Sequence, residues 1–223
     1  MAILERIQPS IGTGIYDNAD VSRLLETPRS TVAGWIRGYT YQALDGIRKS
    51  DPVVTLNQRL LTFYDLIELF IVRQYRNAGV PLKEIREVGA ALRERLNTPY
   101  PFASRRLWVD GKKLLEDYGL EYRHPSSGQV VFGFAKRFFS NLEFVMDMPT
   151  KYYPLGPNKL IVVDPEMRFG QPVIKGTRTT SRSVFNAWSA ELGDYSSIAT
   201  WFNIPDQAVR DAVEVESKWA KVA

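Results

Sequence analysis

The sequence predicts an α+β chain. It has an N-terminal helix-turn-helix with a β-hairpin wing, a small mixed or antiparallel β region, and a C-terminal helical unit built like a second helix-turn-helix. Three observations predict it. Apolar residues recur at helical spacing on either side of short turns, first within 17–37 and again within 198–213. Strand-like runs rich in β-branched and aromatic residues lie between these two regions. Two longer helical stretches, 62–79 and 81–96, carry apolar faces, and the first is apolar nearly all round.

Of the 223 residues 44% are hydrophobic and 24% charged, which suits a sizeable core and opposes global disorder. The net charge of +4 permits a nucleic-acid partner without requiring one. The absence of cysteine excludes disulfides and thiolate metal sites and fits a reducing cytoplasm. The single histidine, His124, reads as a surface or core residue, because a catalytic imidazole needs partners in place. Met1 to Ile11 has neither a long apolar run nor a small-residue cleavage site, so no secretory signal is expected. No run approaches the ~20 apolar residues needed to cross a bilayer.

Asp17 caps the first helix, with Asp20 in the capping-box position, and Val21, Leu24 and Leu25 form its inner face. Thr27 is the expected N-cap of the second helix and Pro28 its first residue. Val32, Trp35 and Ile36 then face inward. Arg29, Ser30, Ala33 and Arg37 face outward, with Thr31 near the helix start, and no carboxylate occurs between Glu26 and Asp45. Arginines and hydroxyls without acids approach phosphate readily, and Arg reads guanine bidentately. A plain helical hairpin with solvated arginines has the same spacing. Tyr39, Thr40 and Tyr41 supply one strand of the expected wing and Val53, Val54 and Thr55 the other, with Arg48 and Lys49 on the bend between. Basic and aromatic residues there suit the sugar–phosphate backbone, and suit sheet packing equally.

Thr62 and Asp65 form a second capping box before the helix containing Leu66 to Val72, which is expected in the core or against a second copy of the chain. Gly79 is the expected C-cap, Pro81 starts the next helix, and Ile85, Val88, Leu92 and Leu96 form its stripe. From Tyr16 to Leu96 the order of helix-turn-helix, wing and "LTFYDLIELFIVRQYRNAGVPLKEIREV" resembles the MerR-type winged-helix family. The cysteines with which that family senses effectors are missing, so the resemblance does not imply metal sensing.

The run "NTPYP" at 97–101 breaks the helical period and sets the expected division between a head, 1–98, and the remainder, 99–223. Asp110-Gly111 between "RLWV" and "KKLL" predicts a hairpin over 107–115. Residues 129–134 read as a strand or a helix start, 142–148 as a strand, 152–157 as a loop and 160–163 as a short buried strand.

Gly170, Pro172, Gly176, Thr177 and Arg178 spell G-x-P-x-x-x-G-T-R. The glycines permit positive φ, and Pro172 stiffens entry to a short apolar strand. Arg178 is expected to pair with a carboxylate such as Asp164, a structural role favoured over phosphate binding. Beyond it, Ile198, Trp201 and Phe202 form an apolar face, Asn203, Ile204 and Pro205 a turn, and Val209, Ala212 and Val213 a second face. A shift of 177 residues overlays Val21, Leu25, Pro28, Val32 and Ile36 on Ile198, Phe202, Pro205, Val209 and Val213. The second copy is acid-rich, with Asp206, Asp211, Glu214 and Glu216 against Arg210, and such a helix repels phosphate. It is therefore expected at a dimer interface or against a basic protein, with Trp188, Trp201, Asp206, Asp211 and Trp219 as candidate contacts.

The stretch 161–219 resembles the bacterial domain of unknown function 433, and the whole arrangement resembles VapB-type antitoxins. The resemblance implies a cytoplasmic antitoxin encoded beside a PIN-like ribonuclease toxin, neutralising it and binding operator DNA to repress its own operon. The candidate DNA contacts are Arg29, Ser30, Thr31, Arg37, Tyr39, Tyr41, Arg48 and Lys49, in a homodimer with no cofactor or metal. The alternative is a free-standing regulator with a small-molecule or protein effector, its pocket lying within 100–160. Catalysis is not expected. Asp164 with Glu166, and Glu214 with Glu216, are the available carboxylate pairs, and no metal-ligand or phosphate-loop pattern accompanies them.

Overall fold

A computed structural model describes residues 12–43, 45–54, 59–107 and 138–221. Most of the hairpin expected over 107–115, the 129–134 segment and His124 lie outside the described residues. The described part is α+β, with seven α-helices and two antiparallel sheets. Helices α1 (Asn18–Leu24) and α2 (Arg29–Arg37) lead into a hairpin of β1 (Tyr39–Ala43) and β2 (Gly46–Ser50). Helices α3 (Phe63–Asn77) and α4 (Leu82–Leu96) complete the first half. Strands β3 (Leu142–Val145), β4 (Met148–Tyr152), β5 (Ile161–Val163) and β6 (Pro172–Ile174) form a sheet in sequence order. Helices α5 (Ser181–Ala190), α6 (Tyr195–Phe202) and α7 (Asp206–Trp219) close the chain.

Both expected capping boxes form: Asp17 with Asp20 on α1, and Thr62 with Asp65 on α3. Three helix pairs share one turn. After α1 comes Glu26-Thr27-Pro28, after α3 Gly79-Val80-Pro81, and after α6 Asn203-Ile204-Pro205. The first residue of each turn is left-handed, with φ of 45°, 86° and 50°. The second is buried, and its N–H reaches back to a carbonyl of the preceding helix, Ser22, Tyr75 or Ala199. This is the six-to-one bond of a Schellman cap. Each proline then stands at the N-cap of the following helix with φ near −60°, where its missing N–H costs nothing. The 177-residue echo between the first and last pairs thus extends to the backbone hydrogen bonds.

Four local expectations are corrected. Pro28, rather than Thr27, is the N-cap of α2, and the Thr27 hydroxyl donates back to the Leu25 carbonyl at 2.8 Å. The second wing strand is Gly46–Ser50, because Gly46 at φ 126° turns the chain earlier than Val53. Val53 is instead buried, donating its N–H to the Trp35 carbonyl at 2.7 Å. The 142–148 segment is two strands, β3 and the start of β4, reversed at Met146, which takes φ 53°. Trp201 points away from the core while Ile198, on the same helix, is fully enclosed.

One apolar cluster runs from Tyr16 through α3 to Trp219. Leu66, Ile67, Leu69, Ile71 and Val72 are completely enclosed by their own chain, so the alternative of a second copy packing on this stretch is overturned. Glu68 lies among them. Its carboxylate accepts the Ala103 N–H at 2.7 Å, and burial pushes its pKa up to about 8 despite that bond. The folded state therefore keeps a proton that the unfolded chain releases above its ordinary value of 4.5. Stability contributed by this group is fully present below that value and declines as pH rises to about 8. Glu68→Gln should flatten the decline, leaving the variant on the order of a few kcal/mol less penalised at alkaline pH. Urea melts at pH 5.5 and 8.5 check this, and equal pH dependence in variant and parent refutes it.

Candidate nucleic-acid interface

Val21, Leu24 and Leu25 of α1 pack against Val32, Trp35 and Ile36 of α2, fixing the outer side of α2 toward solvent. The Ser22 hydroxyl donates to the Thr27 carbonyl at 2.6 Å, and the Asn18 amide donates to the Arg29 carbonyl at 3.2 Å. Both bonds hold the start of α2 to the start and middle of α1. Arg29, Ser30 and Arg37 are exposed and Thr31 is half-buried. No side chain caps α2, and no acid occupies its first turn. Its first N–H groups and positive dipole end therefore face an anion without competition.

Gly38 joins α2 to the wing at φ 73°, and a Cβ there would stand 2.1 Å from the Ser50 carbonyl oxygen. Tyr39 and Tyr41 lie across from Ser50 and Arg48 on one wing face, their rings 5.9 Å apart. Arg48 and Lys49 are on the strand itself, not on the bend. Arg48 is ion-paired with Asp45, and Lys49 is exposed on the opposite face from Tyr39. The tyrosine face borders an open cleft of about 550 Å³ whose other wall holds Arg76, Lys83 and Arg86. Arg86 lies 6.0 Å over the Tyr39 ring. Hydrogen bonding to Ser50, and secondarily to Arg86, holds the Tyr39 phenol below its ordinary pKa. Lys83 and Arg86 were missed in the sequence, although both lie off the apolar stripe of α4 at its first two turns. The eight expected DNA contacts therefore fall into one region made of α2 and the wing, and the structure adds three cations beside them.

The C-terminal motif is arranged differently. Gly170 and Gly176 take φ of 69° and 79°, and Pro172 to Ile174 form β6. The Thr177 hydroxyl donates to the Ile174 carbonyl and accepts the Thr179 N–H, both at 3.0 Å. The expected Arg178–Asp164 pair is not formed. Asp164 accepts the Glu166 N–H at 2.9 Å, and the Arg178 guanidinium makes no ion pair among the described residues. Arg168 and Phe169 take φ of 49° and 54°, so three successive residues to Gly170 are left-handed. Such a backbone costs roughly 1–2 kcal/mol per non-glycine residue.

Of the candidate interface residues, Trp201 is 62% exposed, Asp206 exposed and Trp188 half-buried. Asp211 and Trp219 are internal and offer no surface to a partner. Asp211 accepts from Lys159 Nζ and from the Leu160 N–H, both at 2.9 Å. Glu216 is also buried, and Glu214 is bridged by Lys159 and Lys218. The acids of α7 are thus largely consumed within the chain.

Residues 14–88 match the family model described as a "Putative DNA-binding HTH domain", and residues 161–214 match "Protein of unknown function (DUF433)". The chain is 26% identical to "Putative antitoxin VapB45" of Mycobacterium tuberculosis strain H37Rv, over 90% of this chain and 92% of that protein. It is 24% identical to "Uncharacterized protein Rv2308" of the same organism, over 92% of this chain and 91% of that one. The crystal structure of Rv2018 from Mycobacterium tuberculosis shares the fold at a TM-score of 0.68 and 21% identity, covering 90% of this chain and 98% of that chain.

Gly170 tests the geometry of the motif. A Cβ there would meet the Tyr16 hydroxyl at 2.1 Å, in addition to the left-handed φ. Gly170→Ala should destabilise the protein by roughly 2–4 kcal/mol, combining left-handed strain and overpacking. Gly176, which has open space, should lose only the strain term on the same substitution. Thermal melts of the two variants check the difference, and equal losses refute the close-approach role.

Proposed function

We propose that this chain is a non-enzymatic DNA-binding antitoxin with a MerR-like head, residues 1–98, and a partner-binding remainder, 99–223. The observation that carries the DNA reading is the acid-free outer face of α2 set beside the tyrosine face of the wing. The match of 14–88 to a DNA-binding helix-turn-helix model supports it. The antitoxin reading is supported by end-to-end similarity to a protein named as an antitoxin.

In this reading α2 enters the major groove. Arg29, Ser30, Thr31 and Arg37 contact bases and phosphates, and Tyr39, Tyr41, Lys49 and the cleft cations follow the backbone. Arg48 joins them on release from Asp45. A homodimer places two α2 helices about 34 Å apart, one turn of DNA. Repression of its own operon follows from binding upstream DNA, and a PIN-like ribonuclease encoded alongside is the partner to be neutralised in the cytoplasm. Trp188, Trp201 and Asp206 are the surface available for that partner or for the dimer. Among the described residues no three metal-ligating side chains converge, and no helix is long and apolar enough to cross a membrane.

Gel shifts with the DNA directly upstream of its reading frame test the DNA role. Arg29→Ala and Arg37→Ala should each weaken binding about 5- to 150-fold, the ~1–3 kcal/mol of a lost base contact. No shift by the parent protein at low salt overturns it. Co-expression with the neighbouring gene tests the antitoxin role. A stoichiometric co-purifying nuclease is expected, and its absence favours the free-standing regulator.

A further inference from the structure

We propose that the left-handed turn Arg168–Gly170, together with Arg178 and Arg182, is a second DNA-backbone contact, contributed by the C-terminal half beside the reading helix pair. The inference rests on the DNA-binding reading above and extends it to a motif expected to be structural.

The turn is held from behind and open in front. The Tyr16 hydroxyl donates to the Gly170 carbonyl at 3.1 Å, and the Tyr16 ring fills the space where a side chain at 170 would stand. Arg168 Nε donates to the Arg178 carbonyl at 2.8 Å, which ties the Arg168 side chain to the backbone at Arg178. The strained backbone persists because these contacts over-determine it, and strain of this kind gathers at working surfaces. What it displays is Phe169, 74% exposed. A ring so placed contributes nothing to the core.

Arg168, Arg178 and Arg182 are all exposed, and none makes an ion pair among the described residues. Arg182 lies in the first turn of α5, whose N-terminal end adds a positive dipole. Residues 164–182 carry four cations and two carboxylates. One of those, Asp164, is turned onto the Glu166 N–H.

Position links this patch to α2. Tyr16 immediately precedes the Asp17 cap of α1, and Asn18 on the first turn of α1 holds the Arg29 carbonyl. One short run of contacts therefore joins Phe169 to the start of the reading helix. Phe169 is the one large exposed apolar side chain between Met146 and Leu192 among the described residues. A protein partner of standard size needs a broader apolar centre. A single ring among arginines suits phosphates, with the ring against sugar or wedged at a base step.

The test is fluorescence anisotropy of the full chain on a 40-bp duplex from directly upstream of its reading frame and on a shuffled duplex. Arg178→Gln and Arg182→Gln should each weaken binding about 3- to 10-fold on both duplexes. Each should also lower the slope of log K against log[salt] by about 1. Phe169→Gly relieves the left-handed strain while removing the ring, so Tm should rise by about 2–4 °C as affinity falls. If these variants keep the parent affinity and salt slope while Arg29→Ala weakens binding, this inference fails and the DNA reading stands. If the parent binds neither duplex, both fail. If the variants keep DNA binding but lose a co-purifying protein, the patch is a protein-docking surface and the inference is overturned.

Discussion

Glu216 is a buried carboxylate on the last helix, and the seating of the helix-turn-helix depends on how it is neutralised. Its oxygens take a 2.6 Å bond from the Ser181 hydroxyl and lie 3.3 Å from the Arg23 guanidinium. Arg23 in turn covers the Trp219 ring at 5.0 Å. A charge removed from water must be paired, and leaving it unpaired costs about 3–5 kcal/mol. The first helix of the N-terminal helix-turn-helix is thus held to α5 and α7 by an interaction with a strong energetic sign. Tyr16 on Gly170 makes the second tie, seven residues before Arg23 and just ahead of the α1 cap. With both ends of α1 fixed to the C-terminal half, α2 and the wing have a defined attitude toward everything after residue 138.

One turn is reused in three helix pairs, so their backbone geometry does not tell them apart. Glu26, Gly79 and Asn203 all take the left-handed position, and Pro28, Pro81 and Pro205 all start the next helix. The pairs differ in what happens to their charges. On α2 the arginines have no acid to meet. On α7 Asp211 and Glu216 are withdrawn into the interior by Lys159 and Arg23. The acids of α7 therefore serve mainly to dock it, and the surface they leave is smaller than the sequence suggests.

Caps and turns were the most legible part of the fold, since a capping box or a proline at a helix start is a local matter of a few residues. The 177-residue echo was legible for the same reason. What the sequence hid is non-local or conformational. The alternation of Leu142, Phe144, Met146 and Met148 continues unbroken through a reversal, because an exposed left-handed Met146 happens to fall in phase. Asp45-Gly46 carried the true wing signal, but the β-branched run at Val53–Thr55 outweighed it. Helical spacing placed Trp201 and Ile198 on one face, whereas three residues of helix separate a solvent-facing ring from an enclosed one. Trp219 and Asp211 looked like surface anchors because their partners, Arg23 and Lys159, lie far away in sequence. Of the candidate site, the arginines of α2 and the wing tyrosines were readable. Arg76, Lys83 and Arg86 were not, since only folding brings the end of α3 and the start of α4 beside β1.

The two glycines of G-x-P-x-x-x-G-T-R show how far a motif can be read without coordinates. Positive φ was predictable at both, and both adopt it. At Gly176 that is the whole reason, for nothing lies within 4 Å of a Cβ built there. At Gly170 the tighter constraint is the Tyr16 ring, contributed from 154 residues earlier. The motif is therefore two devices in one string. Its second half closes a turn on itself through Thr177, while its first half is the seat on which the N-terminal helix-turn-helix rests. A local argument recovers the closed turn in full. The seat follows only from the packing of both halves of the chain, and that packing leaves Phe169 facing outward, because the backbone it stands on is committed to Tyr16 behind it.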